Sequence, residues 1–142
     1  MSEELKALAR GWYDAMTKAF ATGDMNALDA FIVADFVEHN PSPGQGPGLA
    51  GLKQLFAGFQ SAFPDMNISA EDVIAEGDKV AARFVMRGMN TGSFAGMPAT
   101  GKQVTVEGID ILRVEGGKIV EHWGQYDQLG MMQQLGAVPT PG

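Results

Sequence analysis

The sequence predicts an α+β domain, with helices in its first half and an antiparallel sheet in its second. Apolar residues recur at intervals of three and four as far as Phe63 and at intervals of two from Met66 onward. These are the periods of a helix with one buried face and of a half-buried strand. Two glycine-rich loops, Asn40 to Gly48 and Asn90 to Gly101, and two tight glycine-containing turns separate the periodic segments.

The elements follow in order. Leu5, Leu8, Trp12, Ala15, Met16, Ala19 and Phe20 share a helical face, and Gly23 offers a left-handed stop. Asp24 is placed to cap a second, shorter helix carrying Leu28, Phe31 and Ile32, antiparallel to the first. Phe36 to His39 opens as a short extended piece before the Pro/Gly loop. A third helix carries Leu49, Leu52, Leu55, Phe56, Phe59 and Phe63 and ends at Pro64. Strands over Ile68 to Glu76 and Lys79 to Met89 flank Gly77-Asp78, and strands over Gln103 to Val114 and Lys118 to Tyr126 flank Gly116-Gly117. The expected sheet is a four-strand meander with the helices on one face. Asp127 then caps a short helical pattern, Gln128 to Leu135, stopped by Gly136, and Val138 to Gly142 should fray.

A length of 142 residues fits one domain, 1–142, with a sizeable core. Hydrophobic residues at 45% and charged residues at 19% describe a globular chain that is too apolar to be disordered. A net charge of −7 supplies no basic patch for nucleic acid or for an anionic membrane surface. Without cysteine there is no disulfide, thiol nucleophile or thiolate metal site. The acidic start, Met1-Ser-Glu-Glu, is not a signal peptide, and no apolar run reaches membrane-span length, so a cytoplasmic protein is expected. The glycine stretches lack the strand-to-helix setting of a phosphate loop, and His39 and His122 lack a metal-ligand pattern. No metal and no cofactor are expected.

Chemistry-bearing residues concentrate in the last two predicted strands. Alternation puts His122, Gly124 and Tyr126 on one face of the last strand, with Trp123, Gln125 and Asp127 on the other. Gly108, Asp110 and Leu112 share a face of its neighbour. Ionisable groups rarely occupy half-buried strand positions, because each must be paired or neutralised away from water.

Several segments together, Phe36-Val-Glu-His39-Asn40-Pro41, Ala62-Phe63-Pro64-Asp65, Gly92-Ser-Phe94-Ala-Gly96-Met-Pro98-Ala-Thr-Gly101-Lys102, Asp110-Ile-Leu-Arg113, Gly117-Lys-Ile-Val-Glu-His122-Trp123 and Gln134-Leu-Gly136, resemble the SnoaL-like polyketide cyclase (ester cyclase) family of the NTF2-like superfamily. The resemblance runs from about the first helix to Gly136. It implies a cone in which a curved, mostly antiparallel sheet packs against three helices of the N-terminal half and encloses an apolar pocket. It further implies a homodimer or larger homo-oligomer, and cofactor-independent aldol cyclisation of a polyketide ester. The aspartate of the family's cyclases falls on Gly124 here, and a histidine of their pocket falls on Asp110. Either the carboxylate has moved to the neighbouring strand or the cyclase reaction has been lost.

On this resemblance the inward faces of the last two strands look into the pocket, where Asp110 would be the base and His122 its partner or proton donor. His39 and Tyr126 would orient the substrate, and Phe20, Leu55, Phe59 and Phe63 would line the pocket, with Met97 among several adaptable methionines. The expected ligand is a small, apolar, carbonyl-containing molecule. Plainer readings stand beside these. Asp110 and His122 could be a structural pair between strands, His39-Asn40-Pro41 a turn, the phenylalanines ordinary core, and Trp123 core or subunit interface. The protein could equally bind a small molecule without reacting it, or catalyse isomerisation or hydration. Apolar residues on both faces of the last two strands, Ile109, Ile111 and Trp123 against Leu112, Val120 and Tyr126, predict that a second subunit covers one face.

Overall fold

The computed structural model describes residues 2–94 and 96–139. Most of the tail expected to fray lies outside them. Helix α1 (Ser2–Thr22) presses Trp12, Tyr13, Met16 and Phe20 inward and stops at Gly23, whose φ of 78° suits a residue without a Cβ. Asp24 caps as expected, its Oδ1 accepting the Asn26 N–H at 3.0 Å. The element it caps is a single 3-10 turn, Met25–Leu28, and not a second helix.

From Ile32 the chain is extended, and Ile32–Glu38 forms strand β1. The apolar spacing of Leu28 and Ile32 has two causes: Leu28 is buried in the turn, while Ile32 is the first inward residue of a strand. Helix α2 (Gly48–Ala62), strands β2 (Asn67–Glu76), β3 (Lys79–Met89), β4 (Gln103–Glu115) and β5 (Lys118–Tyr126), and helix α3 (Gln128–Gln134) follow. Their bounds lie close to those expected. Asp127 Oδ1 accepts the Gly130 N–H at 2.8 Å, so it caps α3.

The sheet has five strands in the order β1-β5-β4-β3-β2 and is not closed. The expected meander makes up four of them. The fifth, β1, runs parallel to β5 and makes the sheet mixed. Its pairing is held by the Ile119 N–H to Phe31 C=O bond at 2.8 Å and the His39 N–H to His122 C=O bond at 3.0 Å. The architecture is therefore the expected α+β fold, with the sheet's inner face packed against α1 and α2 around one hydrophobic core.

The outer face carries a row of register partners, Ile74, Ala81, Ile111 and Trp123. Ile74 is 69% exposed, Ile109 56% and Ile111 39%, so part of the outer sheet is apolar and uncovered. No described helix is long and apolar enough to cross a membrane.

Candidate active site

Strand register builds the site. Asp110 pairs with Gly124 and Leu112 with His122, so Asp110 and His122 are diagonal neighbours on one face of the β4/β5 ladder. On the other side of β5, Glu38 of β1 is the register partner of His122. Three strands thus deliver Glu38, His122 and Asp110 in a line, and α1 lays Tyr13 across its end.

The four groups form one hydrogen-bonded chain. Tyr13 O–H donates to Asp110 Oδ2 at 2.6 Å, and His122 Nε2 lies 2.7 Å from Asp110 Oδ1. His122 Nδ1 lies 2.8 and 2.7 Å from the two oxygens of Glu38. Glu38 Oε2 also accepts the Asn40 N–H at 3.1 Å. Asp110 is 8% exposed and is the only buried acidic or basic residue among those described.

With a carboxylate on each ring nitrogen, His122 meets both as a donor only when doubly protonated. Burial pulls its pKa down, but the hydrogen bonds and charges of Asp110 and Glu38 outweigh burial and push it up to about 10. The unit is then carboxylate, imidazolium, carboxylate. Burial and the neighbouring Asp110 charge both raise the Tyr13 hydroxyl far above its usual value, so it remains a donor. Burial also raises Tyr126.

Because His122 is raised from 6.5, its pairing stabilises the fold fully below pH 6.5, and that contribution is lost as pH rises through about 10. The amount is on the order of a few kcal/mol. Nitrogen NMR at pH 8 should find both ring nitrogens of His122 protonated. The stability gap between the wild type and His122→Gln should narrow from pH 6.5 to pH 10. Parallel stability curves would remove the imidazolium.

These groups stand at the wall of a cavity of about 140 Å³ between the sheet, α1 and α2. Trp12, Met16, Phe20, Leu52, Phe56 and Phe59 supply much of its apolar lining. Gly124 is required by the geometry. A Cβ there would collide with Asp110 Oδ1 and come within 2.7 Å of His122 Nε2. A side chain at 124 and the present contact between Asp110 and His122 exclude one another.

Of the residues singled out from sequence, Asp110, His122, Phe20, Leu55, Phe59 and Tyr126 line this cavity. His39, Phe63 and Met97 do not. Alternation past the end of β1 turns Glu38 inward and His39 outward, where its ring stacks on Trp123 at 4.4 Å and its Nε2 meets Glu121 at 2.7 Å. Trp123 is accordingly on the outer face. Phe63 is fully buried at the end of α2, packed on Phe59 and Phe94. Met97 is tied by two backbone hydrogen bonds to Phe94, both 2.9 Å, in the loop before β4.

Sequence reasoning missed Glu38 and Tyr13. Glu38 lies two residues after Phe36, the spacing of one strand face. Tyr13 lies three before Met16 and seven before Phe20, on the inward face of a helix. Among the described residues no cluster of three or more His, Asp or Glu is arranged to hold a metal ion. What the arrangement offers is proton transfer: a carboxylate and an imidazolium 2.7 Å apart in an apolar recess.

Comparison with known proteins gives concordant results. A family model described as SnoaL-like polyketide cyclase matches residues 9–135. The chain is 32% identical over 133 residues to the aklanonic acid methyl ester cyclase DauD of Streptomyces sp. (strain C5), covering 89% of this chain and 81% of that one. It is 31% identical over 125 residues to the nogalonic acid methyl ester cyclase of Streptomyces nogalater, covering 85% and 92%. Among solved structures, TsrD from Streptomyces laurentii superposes with a TM-score of 0.82 at 30% identity, over 94% of this chain and 98% of that one.

Proposed function

Because the chain belongs to the SnoaL-like polyketide cyclase family, we propose that it closes a ring in a small, apolar, polyketide-like ester by general acid/base catalysis, using its own side chains and no cofactor. The observation that carries this reading is the 2.7 Å contact between Asp110 and His122 at the wall of an apolar cavity.

The proton account closes within that pair. Asp110 takes a proton from a carbon flanked by two carbonyls, and the resulting enolate forms the new C–C bond to a ketone within the same molecule. The alkoxide so formed takes a proton from the His122 imidazolium. The proton on Asp110 then crosses to His122 Nε2, restoring both groups, and the product is an isomer of the substrate. Glu38 keeps the imidazole in place and compensates its charge, and Tyr13 holds Asp110 through Oδ2. General acid/base work of this kind contributes about 10²–10⁴-fold each time a group is well placed.

The cavity also limits what enters. A dry cavity of about 150 Å³ accommodates a benzene ring, so one ring fits inside and the remainder of a larger ester extends beyond it. The test is incubation with aklanonic or nogalonic acid methyl ester, with chromatography of the products. Appearance of a cyclised isomer of unchanged mass is expected. Saturable binding with no isomer would instead establish a non-catalytic binding protein.

The uncovered apolar row on the outer sheet is read as the contact with a second copy of the chain. Light scattering at micromolar concentration should give a dimer, and Ile111→Glu should give a monomer with its helices and strands intact. A monomeric wild type would refute the assembly.

A further inference from the structure

The loop from Asn40 to Pro47 holds two carboxamides whose orientation is settled by their neighbours. Asn40 Oδ1 accepts the Gly124 N–H at 2.9 Å, and Gln45 Oε1 accepts the Ser42 N–H at 3.0 Å. Both oxygens are spent on backbone donors, so the polar ends left for a ligand are the two amino groups. Asn40 and Gln45 both line the cavity that contains Asp110 and His122. Gln45 Nε2 is buried beyond the reach of a water-sized sphere, so a ligand oxygen meets it only after a small turn of the side chain or loop, and it is the one buried side-chain nitrogen or oxygen among the described residues with no hydrogen-bond partner.

A buried donor left without an acceptor is destabilising, and native proteins leave few of them. We propose that Gln45 Nε2, assisted by Asn40 Nδ2, forms a subsite for a neutral carbonyl oxygen, a ketone or ester C=O of the substrate. The chemistry of the wall selects that group. An amino group asks for an acceptor, which excludes a cation. Two carboxylates facing one imidazolium leave the wall with a net negative charge, which disfavours a ligand that is already anionic. A carbonyl arrives neutral and gathers negative charge only as its neighbouring carbon loses a proton, where N–H donors act most strongly. The prolines at 41, 43 and 47 restrict the loop that carries both amides.

The subsite rests on the reading of this cavity as the substrate site, and its test needs no turnover. Methyl benzoate is a suitable probe, being one ring with an ester carbonyl whose infrared stretch lies clear of the protein amide band. Bound to the wild type, the stretch should fall below its value in heptane, as a hydrogen-bonded carbonyl does. Gln45→Met keeps the side-chain length and removes the N–H donors together with the Oε1 that accepts the Ser42 N–H. It should return the stretch toward the heptane value and weaken binding about tenfold. Asn40→Ala should return it part of the way.

Asp110→Asn should leave the lowered stretch in place, so loss of the base and loss of the carbonyl subsite are read separately. A stretch that does not differ between the wild type and Gln45→Met overturns the proposal, as does a wild-type complex at the heptane value or no binding of the ester at all.

Discussion

Asp110→Asn is expected to lower the rate of ring closure by about 10³-fold in a chain that stays folded but melts earlier, because the His122 imidazolium loses one of its two carboxylates. The substitution is close to isosteric. The amide oxygen can still accept from His122 Nε2, and the Tyr13 hydroxyl can turn to accept from the amide nitrogen, so both present neighbours keep a partner. What is gone is the ability to take a proton and the negative charge beside His122. Removing one of the two carboxylates should also lower the His122 pKa from its raised value. Kinetics, calorimetry and nitrogen NMR on one variant therefore separate the roles. A folded, fully active variant removes Asp110 as the base. A variant that unfolds instead identifies the pair as a structural clasp between β4 and β5.

Gly124→Ala is expected to be damaging out of proportion to one methyl group. The added Cβ would occupy the space of Asp110 Oδ1 and lie 2.7 Å from His122 Nε2 and 2.8 Å from its Cε1. It must push the Asp110 and His122 side chains apart or spread the strands that carry them. Overpacking of this kind costs roughly 1–3 kcal/mol, and loss of the contact between acid and base should lower turnover by about 10²-fold or more. The signature beyond destabilisation is the His122 pKa, which should fall as its distance from Asp110 grows. Gly58→Ala is the contrast: a Cβ there meets nothing within 4 Å on α2, so it should be neutral or stabilise by about 0.5–1 kcal/mol. Equal, mild effects at both positions would show that the bare position at 124 does not govern the pair.

The Gly124 geometry ties the bare position on β5 to the acid on β4. A carboxylate side chain at 124 and the present contact between Asp110 and His122 cannot occupy the same space. The bare position on one strand and the acid on its neighbour form a single arrangement.

The legible parts of the fold were those set by local periodicity. The helical face from Trp12 to Phe20, the hairpin turns at Gly77-Asp78 and Gly116-Gly117, and the cap at Asp127 each depend on residues within a turn or two of one another. Strand β1 was legible only at its end, where Phe36 to His39 reads as extended; its start at Ile32 and its place in the sheet were not. Its seven residues pair in parallel with a strand some eighty positions later, and the neighbouring Asp24 cap and Leu28 imitate the start of a helix. Missing β1 hid Glu38, because the partner that makes a glutamate at 38 significant is His122.

His39 shows the converse. It sits within a segment shared with a pocketed family, yet one step of strand alternation turns it outward onto Trp123. Phe63 and Met97 are apolar residues near the cavity whose burial goes to the end of α2 and to a loop bridge.

By itself the sequence determined the α+β class, the family, and the shared inward parity of Asp110 and His122, since each follows from residue spacing along the chain. Only the tertiary structure decided that Glu38 and Tyr13 complete the hydrogen-bonded line, that the Gln45 amide nitrogen is buried without an acceptor, and that His39 faces outward. Those facts are distances between segments far apart in the chain, set by strand register and helix packing, on which a linear pattern places no constraint.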